Sequence, residues 1–231
     1  MGRFKPWMAI LPEAQRQLWS ELQPTQALGF VLYGGTAIAL RLGHRQSVDF
    51  DFFTEKPLDK KAIFFAFDFL QQAITLQDEP NAFTVLVPAG ELSDQQVKIS
   101  FFGTIGFGRV AAPDLTEDGI LEVASMDDLM ATKVKVILQR VEAKDYRDIA
   151  AMINGGVSLS KGLAAAKAMF GQSFQPSESL KAMVYFQGGD LDQLTSDEKK
   201  TLINAASNVR DLPDVTITSR QLSLSTKAGL P

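Results

Sequence analysis

The stretch GGTAIALRLGHRQSVDFDFF, residues 34–53, constrains this chain more than any other. It opens on Gly34-Gly35, directly behind a short apolar run with strand character, Phe30, Val31, Leu32 and Tyr33. Residues 36–42 are good helix formers and stop at Gly43, so the order reads strand, glycine turn, helix. Residues 48–53 then alternate, and a strand there sets Asp49 and Asp51 on one face and Phe50 and Phe52 on the other. A diglycine at a strand-to-helix turn lets backbone N–H groups and the helix N-terminus approach a phosphate, because no Cβ stands between them. Two carboxylates at i and i+2 can share a hard cation, which favours oxygen ligands and, as Mg²⁺, keeps positions open for substrate phosphates. A lone diglycine is usually a turn and a lone DxD usually a solvated face; together they describe metal-assisted phosphoryl or nucleotidyl transfer.

Composition narrows the chemistry further. The chain has no cysteine and a single histidine, His44, which excludes disulfides, thiolate zinc sites, cysteine nucleophiles and multi-histidine metal sites. Any metal is therefore held by oxygen. Twenty-three Lys and Arg against 27 Asp and Glu give a formal charge of −4, which opposes a broad basic face for nucleic acid and leaves only a local patch. The N-terminal residues lack the apolar core of a signal peptide, and the most apolar run, residues 62–70, is broken by Asp68 and far short of the ~20 residues a membrane helix needs. The expectation is a cytoplasmic protein with no membrane segment. Its 231 residues, 45% hydrophobic, suit one compact domain or a domain with a helical extension.

Elsewhere, residues 12–22 and 59–73 read as helices, and 83–87 and 97–102 as strands separated by a polar turn over 90–96. Residues 103–108 read as a loop and 120–123 as a short strand or connector. Ser125 then opens a capping box into a helix over 126–141, and 145–153 continues with helical periodicity until Gly155-Gly156. Three more helical patterns occupy 160–170, 178–186 and 196–207, and from residue 212 the chain reads as an arm with a short strand at 215–218. The fold class is α+β, a small mixed sheet with flanking helices and a helical C-terminal part. The expected divisions are 1–154, 155–211 and 212–231.

On the helix over 126–141, Lys133 and Arg140 lie seven apart, with Lys144 close to continuing their stripe, while Met130, Val134, Ile137 and Val141 form an apolar face. That stripe either neutralises phosphate charge or is a solvated face with local ion pairs.

These residues resemble a known family. Gly34-Gly35, a helix and Asp49-x-Asp51 look like the signature of the DNA polymerase β-like nucleotidyltransferase superfamily. More narrowly, GGTAIALRLGHRQSVDFDFF and DDLMATKVKVILQRVEAKDYRDIAAM are similar to AbiEii-type nucleotidyltransferase toxins of bacterial toxin–antitoxin and abortive-infection systems. The likeness spans residues 31–153. It implies a nucleotidyltransferase core that passes a nucleoside monophosphate from an NTP to an acceptor hydroxyl on tRNA or another RNA, with Mg²⁺ or Mn²⁺ as cofactor and a cognate antitoxin protein as partner. By position, Asp49 and Asp51 would bind the metal, and Gly34, Gly35 and Thr36 the β- and γ-phosphates. Lys133 would contact the nucleotide phosphates, Asp145 would act in catalysis with Asp148 in support, and Arg45 and Ser47 would flank the carboxylates.

One departure stands out. Many enzymes of the superfamily carry a third acid on a later strand, where residues 97–102 read VKISFF and Ser100 occupies the expected place. A neutral hydroxyl is a poor base. Asp145 or another acid takes that task, or one metal suffices, or the chain binds nucleotide without transferring it; a kinase-like transfer of the γ-phosphate is a further alternative.

Overall fold

The computed structural model describes residues 2–88 and 95–224. The chain divides into two compact units, residues 1–108 with 112–124 and 220–231, and residues 109–111 with 125–219.

The first unit holds a mixed sheet of eight strands among the described residues: β1 (Arg3–Phe4), β2 (Val31–Tyr33), β3 (Asp49–Phe53), β4 (Ile74–Glu79), β5 (Ala82–Pro88), β6 (Gln96–Phe102), β7 (Asp114–Thr116) and β8 (Glu122–Val123). They lie in the order β1-β7-β8-β2-β3-β6-β5-β4. At its centre β3 runs antiparallel to β2 and parallel to β6. The alternation of DFDFF is expressed as expected: Phe50 and Phe52 are fully buried while Asp49 and Asp51 stay partly open. Phe50 and Phe52 share their face with Val97, Ile99 and Phe101 of β6 and with Phe83, Val85 and Val87 of β5, through the registers Phe52↔Phe101 and Phe83↔Phe101. Ring packing adds direction to this core, with centroids 5.6 Å apart for Phe52–Phe101 and 5.2 Å for Phe30–Phe101.

Helices α1 (Glu13–Leu18), α2 (Pro24–Ala27), α3 (Gly34–Leu42) and α4 (Lys60–Ala66) belong to the same unit. Arg41 fixes α3 to the sheet edge by donating to Asp114 at 2.9 Å and to the carbonyls of Val123 and Ala124 at 3.0 and 2.8 Å. Several elements differ from the sequence reading. The helix over 59–73 ends at Ala66, because Phe67 turns extended to bury its ring, and a short 3₁₀ segment, Asp68–Gln72, follows. Strand β4 is additional; all six of its side chains are exposed, so it carries no alternating burial signal. β1 and β7 are too short for periodicity to show them. Residues 90–94 of the expected polar turn lie outside the described residues. The expected C-terminal arm is exposed or half-buried over residues 212–221 and becomes anchored at Leu222, which is 1% exposed and whose N–H donates to Glu55.

The second unit consists of α5 (Met126–Val136), α6 (Ala143–Asn154), α7 (Leu159–Phe170), α8 (Pro176–Val184) and α9 (Ser196–Asn208), with short 3₁₀ turns between. Ser125 caps α5, its hydroxyl accepting from the Asp128 N–H. Whereas the pattern predicts a helix to residue 141, α5 stops at Val136, so Arg140 sits in the connection to α6 and shares no helical stripe with Lys133. A boundary at Gly155 also differs from the observed division at 124/125, because α5 packs on α7 and α6 on α9. α7 approaches α5 so closely that a Cβ on Gly162 would lie 2.1 Å from Met130 Cγ. No strand forms over 215–218; the Thr218 N–H donates to the Arg109 carbonyl at 2.9 Å, and Ser219 just beyond forms an isolated bridge with Arg109.

Candidate functional site

The centre of the first unit brings the diglycine and both carboxylates together. β2 delivers the chain to Gly34, whose positive φ of 75° is the conformation that turns the strand into α3 without a Cβ penalty. A Cβ at Gly34 would stand 2.6 Å from Asp51 Oδ2, so the helix start lies directly against that carboxylate. The positive end of the α3 dipole thus lies beside the Asp51 carboxylate. Asp51 pairs in register with Tyr33, and Asp49 lies two residues away on the same face.

The side chains of Thr36 and Ser47, both expected at the nucleotide, are engaged within the fold. Both are buried, their hydroxyls are 2.7 Å apart, and Thr36 donates to the Asp49 carbonyl. They pin the first turn of α3 to the start of β3 and so set the carboxylates relative to the glycines. Arg45 donates to the Gln46 carbonyl at 2.8 Å and remains partly exposed in the loop before β3.

Two features of this face were not apparent from sequence. Lys98 of β6 stands opposite Asp49, with Nζ 3.4 Å from Asp49 Oδ2, and Ser100 stands opposite Asp51. The parallel pairing of β3 with β6, which no local pattern announces, makes Lys98 a neighbour; the alternation of VKIS was its only trace. Beyond Asp51 lies an aromatic wall: Tyr33 stacks on Phe53 with centroids 4.9 Å apart, and Phe107 and Phe102 close around them at 5.3 to 6.3 Å. The residues 62–70, also rich in phenylalanine, are instead divided between core and surface, with Phe67 at 1% and Phe65 at 89% exposed.

The donor set suits a hard divalent cation. Two carboxylates face one way from adjacent turns of the β3 pleat, with the α3 N-terminus beside them. Among the described residues no three His, Cys, Asp or Glu side chains form a metal-caging group, so the remaining ligands would be substrate and water oxygens, as Mg²⁺ commonly takes.

In the second unit the expected acids and lysine form a buried network. Lys133 of α5, only 6% exposed, pairs with Asp145 at 2.6 Å and Asp148 at 2.7 Å, both at 0%. Arg140 donates to both oxygens of Asp145 at 2.8 and 3.1 Å. Lys133 therefore does not lie on an open phosphate-binding stripe; the i, i+3, i+4 spacing of Met130, Lys133 and Val134 puts it on the inward face of α5. Burial pushes the Asp145 carboxyl up, but the Arg140 hydrogen bond and the Lys133 charge more than offset this and hold it below the usual carboxylate range. An acid held so firmly ionised is a weak proton acceptor.

The fold is that of a nucleotidyltransferase. Over 84% of this chain it is similar to MenT4, a nucleotidyltransferase toxin from Mycobacterium tuberculosis H37Rv, of which it covers 86%, with a TM-score of 0.54 at 14% identity. The chain itself belongs to the nucleotidyl transferase AbiEii toxin family of type IV toxin–antitoxin systems, which it matches over residues 17–216. An uncharacterized protein of Aquifex aeolicus (strain VF5) is 32% identical over 148 residues, a match spanning 62% of this chain and 66% of the relative, just under two thirds of its length. Among the described residues no helix is long and apolar enough to cross a membrane.

Proposed function

We propose that this nucleotidyltransferase transfers a nucleoside monophosphate from an NTP to an acceptor hydroxyl, with Asp49 and Asp51 holding Mg²⁺ or Mn²⁺. The observation that supports the reading is the close approach of Gly34 at the α3 N-terminus to Asp51, where N–H groups able to donate to a phosphate lie beside carboxylates able to hold a metal. The bond that forms joins the acceptor oxygen to the α-phosphorus; the bond that breaks releases pyrophosphate. A divalent cation there supplies charge neutralisation to the phosphates.

The chain's own residues share the rest of the work. N–H groups of Gly34 and Gly35 donate to β- and γ-phosphate oxygens, with Arg45 as a nearby cation. Thr36 and Ser47 keep the glycines and carboxylates in register. The partly open rings of this wall, Phe53, Phe102 and Phe107, backed by the buried Tyr33, offer a face on which a nucleobase stacks. Lys133, Arg140, Asp145 and Asp148 form an ion network that holds α5, α6 and the connection between them in place within the helical unit.

The acceptor is an RNA end, tRNA among the candidates, and the family's type IV toxin–antitoxin assignment supplies a separately encoded antitoxin as protein partner, with both acting in the cytoplasm. With an excess of basic residues absent, RNA binds through a local strip rather than a whole face. The test is to incubate the protein with an RNA pool, Mg²⁺ and each NTP labelled at the α- or the γ-phosphate. Label on RNA from the α-position alone supports nucleotidyl transfer; label from the γ-position assigns the chain to phosphotransfer instead.

A further inference from the structure

We propose that Lys98 supplies the charge of a second metal ion, so that the site works with a single divalent cation. The inference rests on the nucleotidyl-transfer reading above. In the β3–β6 register Asp49 faces Lys98 and Asp51 faces Ser100, so all four side chains point to one side of the sheet. The next strand continues that face with Thr84 opposite Ser100 and Leu86 opposite Lys98, and adds no acid. Lys98 Nζ lies 3.4 Å from Asp49 Oδ2, with the side chains 41% and 36% exposed, so the ammonium is held by the carboxylate yet still able to turn. Ser100 is buried and neutral.

Exchanging a carboxylate for a lysine raises the fixed charge of a site by two units, which is the charge of one divalent cation. Two carboxylates, a lysine and one divalent cation therefore present a triphosphate with the same net charge as three carboxylates and two divalent cations. A second cation would enter beside an ammonium, where like charges repel. Before nucleotide arrives, Lys98 competes with the cation for Asp49. Once nucleotide is bound, the ammonium turns to the triphosphate as a charge-assisted donor.

Removing Lys98 thus has effects of opposite sign, and calorimetry with Mn²⁺ as probe reads both. Lys98→Met binds Mn²⁺ alone about two- to fivefold more tightly, the scale of a half-exposed ion pair. The same variant binds an α,β-methylene NTP analogue with Mn²⁺ about tenfold or more weakly, the scale of a lost charge-assisted hydrogen bond. Lys98→Arg stays near wild type in both titrations, and Lys98→Gln repeats the pattern of Lys98→Met should that variant melt early. With the analogue, the wild type takes up one Mn²⁺ per chain and Lys98→Glu takes up two. Two Mn²⁺ on the wild type, or affinities in Lys98→Met that move in the same direction or not at all, overturn the role of Lys98 alone. A wild type that binds no Mn²⁺ with the analogue overturns the nucleotidyl-transfer reading as well.

Discussion

Replacing Lys133 by methionine is the sharpest test of how the helical unit is held together. The side chain is 6% exposed and its ammonium is shared by Asp145 and Asp148, which are both at 0%. Methionine keeps the length and apolar stem but removes the ammonium that the two buried carboxylates share. Truncating one partner of a buried pair costs about 3–5 kcal/mol, because the cost is that of the stranded charge and not of the contact. That is a large part of the ~5–15 kcal/mol that ordinary domains possess. At a urea m-value of about 2–3 kcal/mol/M the midpoint falls by about 1–2.5 M. Asp148→Asn, by contrast, leaves Lys133 paired with Asp145 and costs about 1–3 kcal/mol. Equilibrium urea unfolding followed by far-UV circular dichroism measures both. A Lys133→Met midpoint within the error of wild type, or a larger loss for Asp148→Asn, refutes the reasoning that Lys133 is the central charge of this network.

Gly34→Ala meets two obstacles, a φ of 75° and a Cβ 2.6 Å from Asp51 Oδ2; it should lower stability by roughly 1–2 kcal/mol and label transfer far more, which a melt and a transfer assay on one preparation check. Thr36→Val removes the buried hydroxyl between Ser47 and Asp49, with an expected loss of about 1–3 kcal/mol in urea unfolding, whereas Arg45→Ala changes stability little. For Asp145 the folded pKa is depressed, so its stabilisation is complete above the ordinary carboxylate value of about 3.9 and is lost as pH falls from there toward the lower folded value. Urea midpoints taken from pH 5 to pH 3 should fall more steeply for wild type than for Asp145→Asn; parallel profiles would contradict the charge assignment.

The strand, diglycine turn, helix and second strand were legible because each carries a local signal: glycines where φ turns positive, a helix-forming run, and period-two alternation around Phe50 and Phe52. Lys98 was not, since its place opposite Asp49 is set by parallel pairing between strands far apart in sequence. Nor was the burial of Lys133 legible from helical spacing. A stripe of lysine and arginine looks the same whether it faces water or a pair of aspartates, and only the end of α5 at Val136, followed by the turn into α6, brings Asp145 and Asp148 onto it. β4 escaped notice for the opposite reason: with all its side chains exposed, hydrogen bonding to β5 alone makes it a strand.

The central claim is that Asp49 and Asp51 hold the metal for nucleotidyl transfer, and the most direct measurement is label transfer from α-labelled NTP to RNA with Mg²⁺ by wild type, Asp49→Asn and Asp51→Asn. Asparagine keeps the shape of each side chain and removes the charge, and both positions are partly open, so the variants should melt with the wild type. The expected result is robust labelling by wild type and a loss of about 100-fold or more in each variant, the scale of removing a main electrostatic stabiliser of the transition state. Labelling by either folded variant at the wild-type rate would contradict the assignment.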